Sequence, residues 1–292
     1  MTLEQLRIFV AVAEREHMTA AARALNLTQS AVSSAIAALE ERHGVKLFHR
    51  VGRGITLTEA GQLFLPEARG LLAQAEATQV MLEELGGLSR GRLRLVASQT
   101  IAAYWLPPVL AAFRQRYPAI AVELAIANTE QAAAQVHEGL ADLGIVEGEV
   151  DDPALAHWVL GADRLVLVSA TPFAPDATLP ALVAPGIPWV MREQGSGTRS
   201  SFEETLREQG LDPDARDAVL VLPSNESVRT AVEAGVGIAV LSGLVVAPAL
   251  AAGTLHAAPF VFPARAFHGL RHKERYRTRA ADALLALLDE RA

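Results

Sequence analysis

Gln29, Ser30, Ser33 and Ser34 are small hydrogen-bonding residues crowded into one short stretch, QSAVSSAIAALEE. Val32, Ile36 and Leu39, spaced four and three apart, share one buried face of the helix that this stretch predicts. Ser30, Ser33, Ser34 and Ala37 fall on the opposite face, with Gln29 at its flank near the start. That outer face is short and polar, with no bulky or acidic residue. A helix that only rests on a surface usually carries Lys, Glu and Arg there. Small donors and acceptors suit the base edges of a DNA major groove. An ordinary solvated helical hairpin is the plainer reading of the segment taken alone. The residues that follow favour nucleic acid. Between Arg42 and Thr58 there is no acid, while Arg42, Lys46, Arg50 and Arg53 are all basic, as phosphate contacts beside a groove-reading helix require.

A second kind of chemistry is written in three short turns, Ser98-Gln99-Thr100, Gly195-Ser196-Gly197-Thr198-Arg199 and Ser224-Asn225-Glu226. Each follows an expected strand, and ligands of open α/β sheets sit at such strand ends. In the middle turn two glycines let backbone N–H groups converge, two hydroxyls add donors, and the helix dipole favours an anion. The alternative is a tight strand-to-helix turn with Ser196 as its cap. Arg199 either adds a charge or faces away. Enzyme motifs are missing. Gln194 replaces the first glycine of a nucleophile elbow, no phosphate loop ends in Gly-Lys-Ser/Thr, and there is no His-Glu-x-x-His. His268 and His272 are four apart and would share a helix face, with no acidic partner to complete a metal set. Glu147 and Glu149, two apart beyond a strand end, either line the cleft or flank a loop, and the loop is the favoured reading.

These residues need elements to hold them. Residues 2–14 predict a first helix, Thr19 caps a second, and Asn26-Leu27-Thr28 breaks it so that Thr28 caps the third. Residues 45–50 and 55–57 read as the two strands of a wing. Thr58 caps a long helix reaching about residue 88. Phe64, Ala68, Leu71, Ala75, Thr78, Leu82 and Leu85 form a heptad seam on it, the pattern of helices that pair; Pro66 should kink its start. Residues 86–91 form a flexible joint. Beyond them strands are expected at 92–97, 120–127, 143–146, 165–170, 189–192, 219–222 and 238–241. Helices are expected at 106–116, 129–138, 198–209, 227–234 and 278–290. The alternation implies a mostly parallel sheet covered on both faces.

Composition bounds the rest. The chain has 292 residues, 51% of them hydrophobic, enough for two or three domains with real cores. It has no cysteine, which removes disulfides and thiolate sites and fits a reducing cytoplasm. There is no signal-peptide pattern, and residues 236–252, the most apolar run, are interrupted by glycines and Pro248. The net charge of -7 argues against coating nucleic acid by bulk charge and leaves a local basic patch open.

LEQLRIFVAVAE at the start, TAAARALNLTQSAVSSAIAALE, LFHR and LTEAG, in that order, resemble the LysR-type transcriptional regulators. The resemblance implies an α/β protein with a winged helix-turn-helix (residues 1–58), a linker dimerisation helix (59–88) and a two-lobed effector domain like the periplasmic binding proteins (91–292). Lobe I would take 91–160 and 266–292, and lobe II 161–265. It implies a cytoplasmic DNA-binding regulator, not an enzyme, with no cofactor or metal. Its partners would be double-stranded promoter DNA and a small effector; it would form a homodimer through the linker helix, and tetramers from dimers, with no membrane contact. DNA contacts are expected at Thr28, Gln29, Ser30, Ser33, Ser34, Arg50 and Arg53. Effector contacts are expected at Ser98, Gln99, Thr100, Gly195, Ser196, Gly197, Thr198 and Arg199. SQTIAAYWLP and EQGSGTR are similar to family members that govern sulfur and carbon assimilation, which makes a small inorganic or carboxylate anion the expected effector. The rival class is a carrier or enzyme that uses the two-lobed domain and keeps the N-terminal region for assembly.

Overall fold

The computed structural model describes residues 1–51, 54–85, 91–148 and 150–290. They fall into two compact units, each described by itself. In the first, helix α1 (Leu3–Arg15) is closed by a reciprocal pair: Gln5 N donates to Thr2 Oγ1 at 3.1 Å, and Thr2 N donates to Gln5 Oε1 at 3.0 Å. Helix α2 (Met18–Ala24) is capped by His17, whose Nδ1 accepts from Ala20 N at 3.3 Å, and not by Thr19. The chain turns at Glu16, in the left-handed region, so the helix begins before Thr19 is reached. Asn26, also left-handed, ends the turn between helices. Thr28 then caps α3 (Gln29–His43), accepting from Ala31 N at 3.2 Å.

Strands β1 (Phe48–Val51) and β2 (Gly54–Leu57) pair antiparallel, with Phe48 opposite Leu57. The first strand starts later than the sequence suggests, because the residues before it serve Glu40. That buried side chain of α3 accepts from Leu47 N (2.9 Å) and Phe48 N (3.3 Å) through Oε1, and from Lys46 Nζ (2.6 Å) through Oε2. Helix α4 (Glu59–Leu85) begins at Thr58, whose Oγ1 accepts from Gly61 N at 3.0 Å and donates to Lys46 O at 2.7 Å. The core gathers Leu6, Phe9, Val12, Val32, Ile36, Leu39 and Leu47. Phe9 sits between the rings of Phe48 and Phe64, at 5.5 and 4.9 Å. Phe64 and Ala68 therefore belong to this unit's own core, which shortens the expected pairing seam. Leu71 and Leu82, 48% and 62% exposed, lie in its uncovered part.

The second unit has two lobes. Strand β3 (Gly91–Ala97) lies between β4 (Ile120–Ile126) and β5 (Leu143–Glu147), all parallel, with helices α5 (Pro107–Arg116) and α6 (Thr129–Glu138) between them in sequence. Strand β6 (Leu155–Ser169) then leaves for the other lobe. That lobe contains α7 (Leu179–Leu182), β7 (Pro188–Arg192), α8 (Gly197–Glu208), β8 (Asp217–Leu222) and α9 (Asn225–Glu233). It continues with β9 (Ala239–Ser242), α10 (Gly243–Ala252) and β10 (His256–Ala257). Strand β11 (Ala264–His272) returns, and α11 (Arg279–Asp289) packs on the first lobe. The large sheet runs β10-β6-β11-β5-β3-β4, with β9 also on β6; β7 and β8 pair parallel beside it.

This sheet is mixed, not mostly parallel: β11 runs antiparallel to both β5 and β6. A chain that crosses between lobes and returns along the same joint must reverse direction there. Strand β6 starts at Leu155, well before the expected 165, because residues 155–164 run along β11, Gly161 among them. The Trp105 ring lies over this glycine, 3.1 Å from where a Cβ would be. His268 and His272 lie on strand β11, so the shared helix face does not exist. Ile101–Trp105 forms a single π turn between β3 and α5. Among the described residues no helix is long and apolar enough to cross a membrane.

Burial works against a charge on Glu40, but the hydrogen bonds from Lys46, Leu47 and Phe48 outweigh it and hold the carboxyl below its ordinary range. A lowered folded-state pKa stabilises the fold above the ordinary carboxylate pKa, and that contribution disappears as pH falls through the lowered value. Glu40→Gln should therefore destabilise the N-terminal unit by about 1–3 kcal/mol at neutral pH. The difference from wild type should shrink on acidification, as followed by denaturant melts at several pH values.

Candidate functional site

Two sites were expected, and each lies within one unit. On α3, Gln29, Ser30 and Ser34 are exposed and Ser33 half-buried, opposite Val32, Ile36 and Leu39. Gln29 Nε2 donates to Ser33 Oγ at 2.9 Å, and the Thr28 and Ser30 hydroxyls lie 3.0 Å apart. The polar row is thus a linked, pre-positioned set. Thr28 is the cap of that row, with its oxygen already accepting from Ala31. Arg50 is exposed on β1, and Arg42 is exposed at the end of α3. Lys46 is paired with Glu40, so its charge is compensated. Arg53 lies outside the described residues.

The second site joins the turns of the two-lobed unit. Ser98 follows β3 and donates its backbone N–H to Ile145 O at 2.9 Å, which fixes it beside the end of β5. Gln99 Oε1 accepts from Asn225 N, and Thr100 Oγ1 accepts from Asn225 Nδ2 at 3.0 Å. The first and third turns are therefore in direct contact. Asn225 opens α9 and also accepts from Arg192 Nη1 of β7. Arg192 in turn holds Glu193 at 2.8 Å. Burial opposes the charge on Glu193, but Arg192 prevails and keeps its carboxyl below the usual range.

The glycine turn meets the first lobe elsewhere. Glu130 N donates to Gly195 O at 3.3 Å, and Asn128 Nδ2 donates to Gln194 O at 3.4 Å. Gly197 fits so closely that a Cβ there would lie 2.2 Å from Glu147 O and 2.5 Å from Thr129 Oγ1. These glycines serve a close approach of the lobes as well as the entry to α8. Ser196 occupies the cap position of α8, yet its hydroxyl makes no capping bond. Thr198 Oγ1 accepts from Arg265 Nη1 at 3.3 Å. Arg199 Nε lies 2.8 Å from Glu203 Oε1, and Arg199 Nη1 donates to Arg192 O, so of the two orientations open to it the guanidinium takes the one toward α8 and β7.

The charges at the joint were not legible beforehand. Arg265 of β11 makes two bonds to Asp163 of β6, at 2.6 and 3.0 Å, and Ser242 of β9 donates to the same carboxylate. Glu147, at the end of β5, is 2% exposed and does not flank a loop; its Oε1 is 3.6 Å from Arg265 Nη2. Glu149 lies outside the described residues, as do residues 86–90 of the expected joint. Asn225 was visible as a strand-end residue. Arg192, Arg265 and Glu147 belong to no sequence motif. Among the described residues no cluster of three or more His, Cys, Asp or Glu is placed to hold a metal ion.

Residues 86–292 match the LysR substrate binding domain, and residues 3–62 match the bacterial regulatory helix-turn-helix protein of the lysR family. The chain belongs to the LysR family of transcriptional regulators. It is 35% identical over 295 residues to the Escherichia coli HTH-type transcriptional regulator YeiE, covering 99% of this chain and 97% of that protein. The fold of this LysR regulator is similar to that of full-length CbnR complexed with target DNA (TM-score 0.69, 20% identity, all of both chains). It is also similar to the Synechocystis CcmR regulatory domain in complex with 2-PG (TM-score 0.61, 27% identity, 68% of this chain and 96% of that one). The chain is thus a DNA-binding transcriptional regulator with an effector-binding domain, and its family is not one of enzymes.

The fit of Gly197 makes a direct prediction. Gly197→Ala should destabilise the effector domain by about 1–3 kcal/mol, since the backbone of Glu147 cannot yield as a flexible side chain would. Thermal melting of the full chain reads this, and an unchanged midpoint would mean that the lobes are not held this closely.

Proposed function

We propose that this LysR regulator reads promoter DNA with the outer face of α3 and senses a small anionic effector in the cleft between its lobes. Gln29, Ser30, Ser33 and Ser34 contact base edges, with Arg42, Arg50 and Arg53 on phosphates. It works in the cytoplasm as a homodimer joined through α4, and dimers pair into tetramers. The effector is held by Ser98 and Thr100 from the first lobe and by the start of α8, Ser196 to Thr198, from the second.

One observation carries the effector site. Ser98 Oγ is buried, in a residue 4% exposed, and has no hydrogen-bond partner among the described residues. A buried hydroxyl without a partner is costly, and a ligand oxygen at the end of β3 would satisfy it. The neighbouring donors are neutral hydroxyls and the N–H groups of a helix start, which bind oxyanions without a full charge. The CcmR complex makes 2-PG one probe to try, beside inorganic sulfate and inorganic phosphate.

At about a hundred times its dissociation constant, a binding anion should stabilise the wild type by roughly 2.7 kcal/mol. Ser98→Ala should melt at or above the unliganded wild type, because no bond is lost, yet show a smaller anion-induced rise. Equal rises in both proteins would place the effector elsewhere. For the dimer, Leu71→Asp puts a charge on the exposed seam of α4 without touching α3. Sedimentation should show dissociation together with weakened DNA binding; an intact dimer would sink the linker assignment.

A further inference from the structure

Arg192 ends β7 with its side chain buried, and a buried charge needs a counter-charge. The next residue supplies it. Arg192 Nε donates to Glu193 Oε2 at 2.8 Å and Arg192 Nη2 donates to Glu193 Oε1 at 3.0 Å, a two-pronged pair. Successive residues of a strand point to opposite faces, so this pairing requires the chain to leave the strand between them; β7 does end at Arg192. Glu193 is thus carried by the turn region, and its side chain is 25% exposed against 6% for Arg192. Its carboxylate also reaches the first lobe, accepting from Asn128 Nδ2 at 3.4 Å. The remaining guanidinium nitrogen, Nη1, is held by Asn225. The fork formed by Nε and Nη2 therefore keeps its aim whatever fills it.

We propose that Glu193 is a resident competitor for the effector: its carboxylate fills a seat built from the Arg192 fork and Asn128, and an effector that bears a carboxylate binds by displacing it. The inference rests on the anion reading above and names the anion. The incoming carboxylate takes the two bonds from Arg192 and the one from Asn128, and Glu193 turns out to water. One carboxylate replaces another, so the buried guanidinium is never left without a counter-charge. Arg192 belongs to the second lobe and Asn128 to the first, so the ligand bridges the lobes as Glu193 does in its absence. A tethered competitor lowers the apparent affinity by the fraction of time for which the seat is free.

Acetate is the probe, because it reproduces the end of the glutamate side chain. Melting of the full chain is followed against acetate, with chloride at matched ionic strength as the reference. Wild type should be stabilised by acetate beyond chloride. Glu193→Gln keeps the shape and removes the competing charge, so half-maximal stabilisation should come at an acetate concentration about tenfold lower. Arg192→Lys keeps the charge and loses the fork, so the acetate-specific rise should disappear, alone and combined with Glu193→Gln. Glu130→Gln removes a carboxylate beside Gly195 that lies outside the fork, and should keep the half-point within about twofold of wild type. A wild-type response that survives Arg192→Lys overturns the seat and leaves the anion reading standing. Equal half-points in wild type and Glu193→Gln, or an equal drop in Glu130→Gln, overturn the competition. No acetate response in wild type or Glu193→Gln overturns the carboxylate seat, while a rise with inorganic sulfate in the same proteins keeps the anion reading. If Arg192→Lys does not fold, the comparison of wild type, Glu193→Gln and Glu130→Gln decides.

Discussion

The buried pair between Arg265 and Asp163 is the interaction on which the two-lobed unit depends. Strands β11 and β6 are the two crossings between lobes, they lie side by side, and this pair ties them where they pass. Charges taken out of water are tolerated only when paired and hydrogen-bonded. Here the remaining valences are taken by Ser242 from β9 and Thr198 from α8. Four elements of the second unit are therefore tied to one ion pair, β9 through its carboxylate and α8 through its guanidinium. α8 thus reaches the crossing strands by two routes, the bond from Arg265 to Thr198 and the packing of Phe202 and Leu206 in one core with Leu165 and Leu167 of β6.

The DNA-binding unit has a comparable fixed point in Glu40. A recognition helix and a wing must keep a set relation if both are to touch one duplex. Core packing around Phe9 supplies part of that relation. Glu40 supplies the directional part, by holding the first residues of the wing strand through their backbone N–H groups. It also takes Lys46 out of the basic rim. The chain is acidic overall, so the charge offered to phosphates is local, and it is narrower than a count of basic residues suggests.

Much of this architecture is legible in the sequence because it is periodic or punctuated. The spacing of Val32, Ile36 and Leu39, the break at Asn26, and the caps at Thr28 and Thr58 are local signals, and local geometry obeys them. The turn at Gly195 and Gly197 is visible for the same reason, though Gly195 also answers to Asn128 and Glu130, and Gly197 to Glu147 and Thr129, across the cleft. What was hidden depends on distant partners. The early start of β6 depends on its pairing with β11, which lies far along the chain. Arg199 has two orientations open to it until its pairing with Glu203 is seen. Phe64 and Ala68 satisfy a heptad, yet the core of their own unit uses them. Arg265 and Asp163 lie about a hundred residues apart in the chain, and neither has a neighbour in sequence that announces the other.

The bond from Arg192 to Asn225 fixes something the cleft could not otherwise have, a hydrogen-bond polarity. A guanidinium only donates, so the Asn225 side chain must turn its carbonyl toward Arg192 and its amide toward Thr100. Thr100 Oγ1 then accepts a hydrogen bond from that amide, and its own hydroxyl hydrogen is directed onward. Arg192, Asn225 and Thr100 form a one-way chain in which each donor polarises the next. Positive character is thereby carried from a buried arginine on β7, across the lobe boundary, to a neutral hydroxyl at the mouth of β3. The guanidinium itself stays where it is, paired with Glu193.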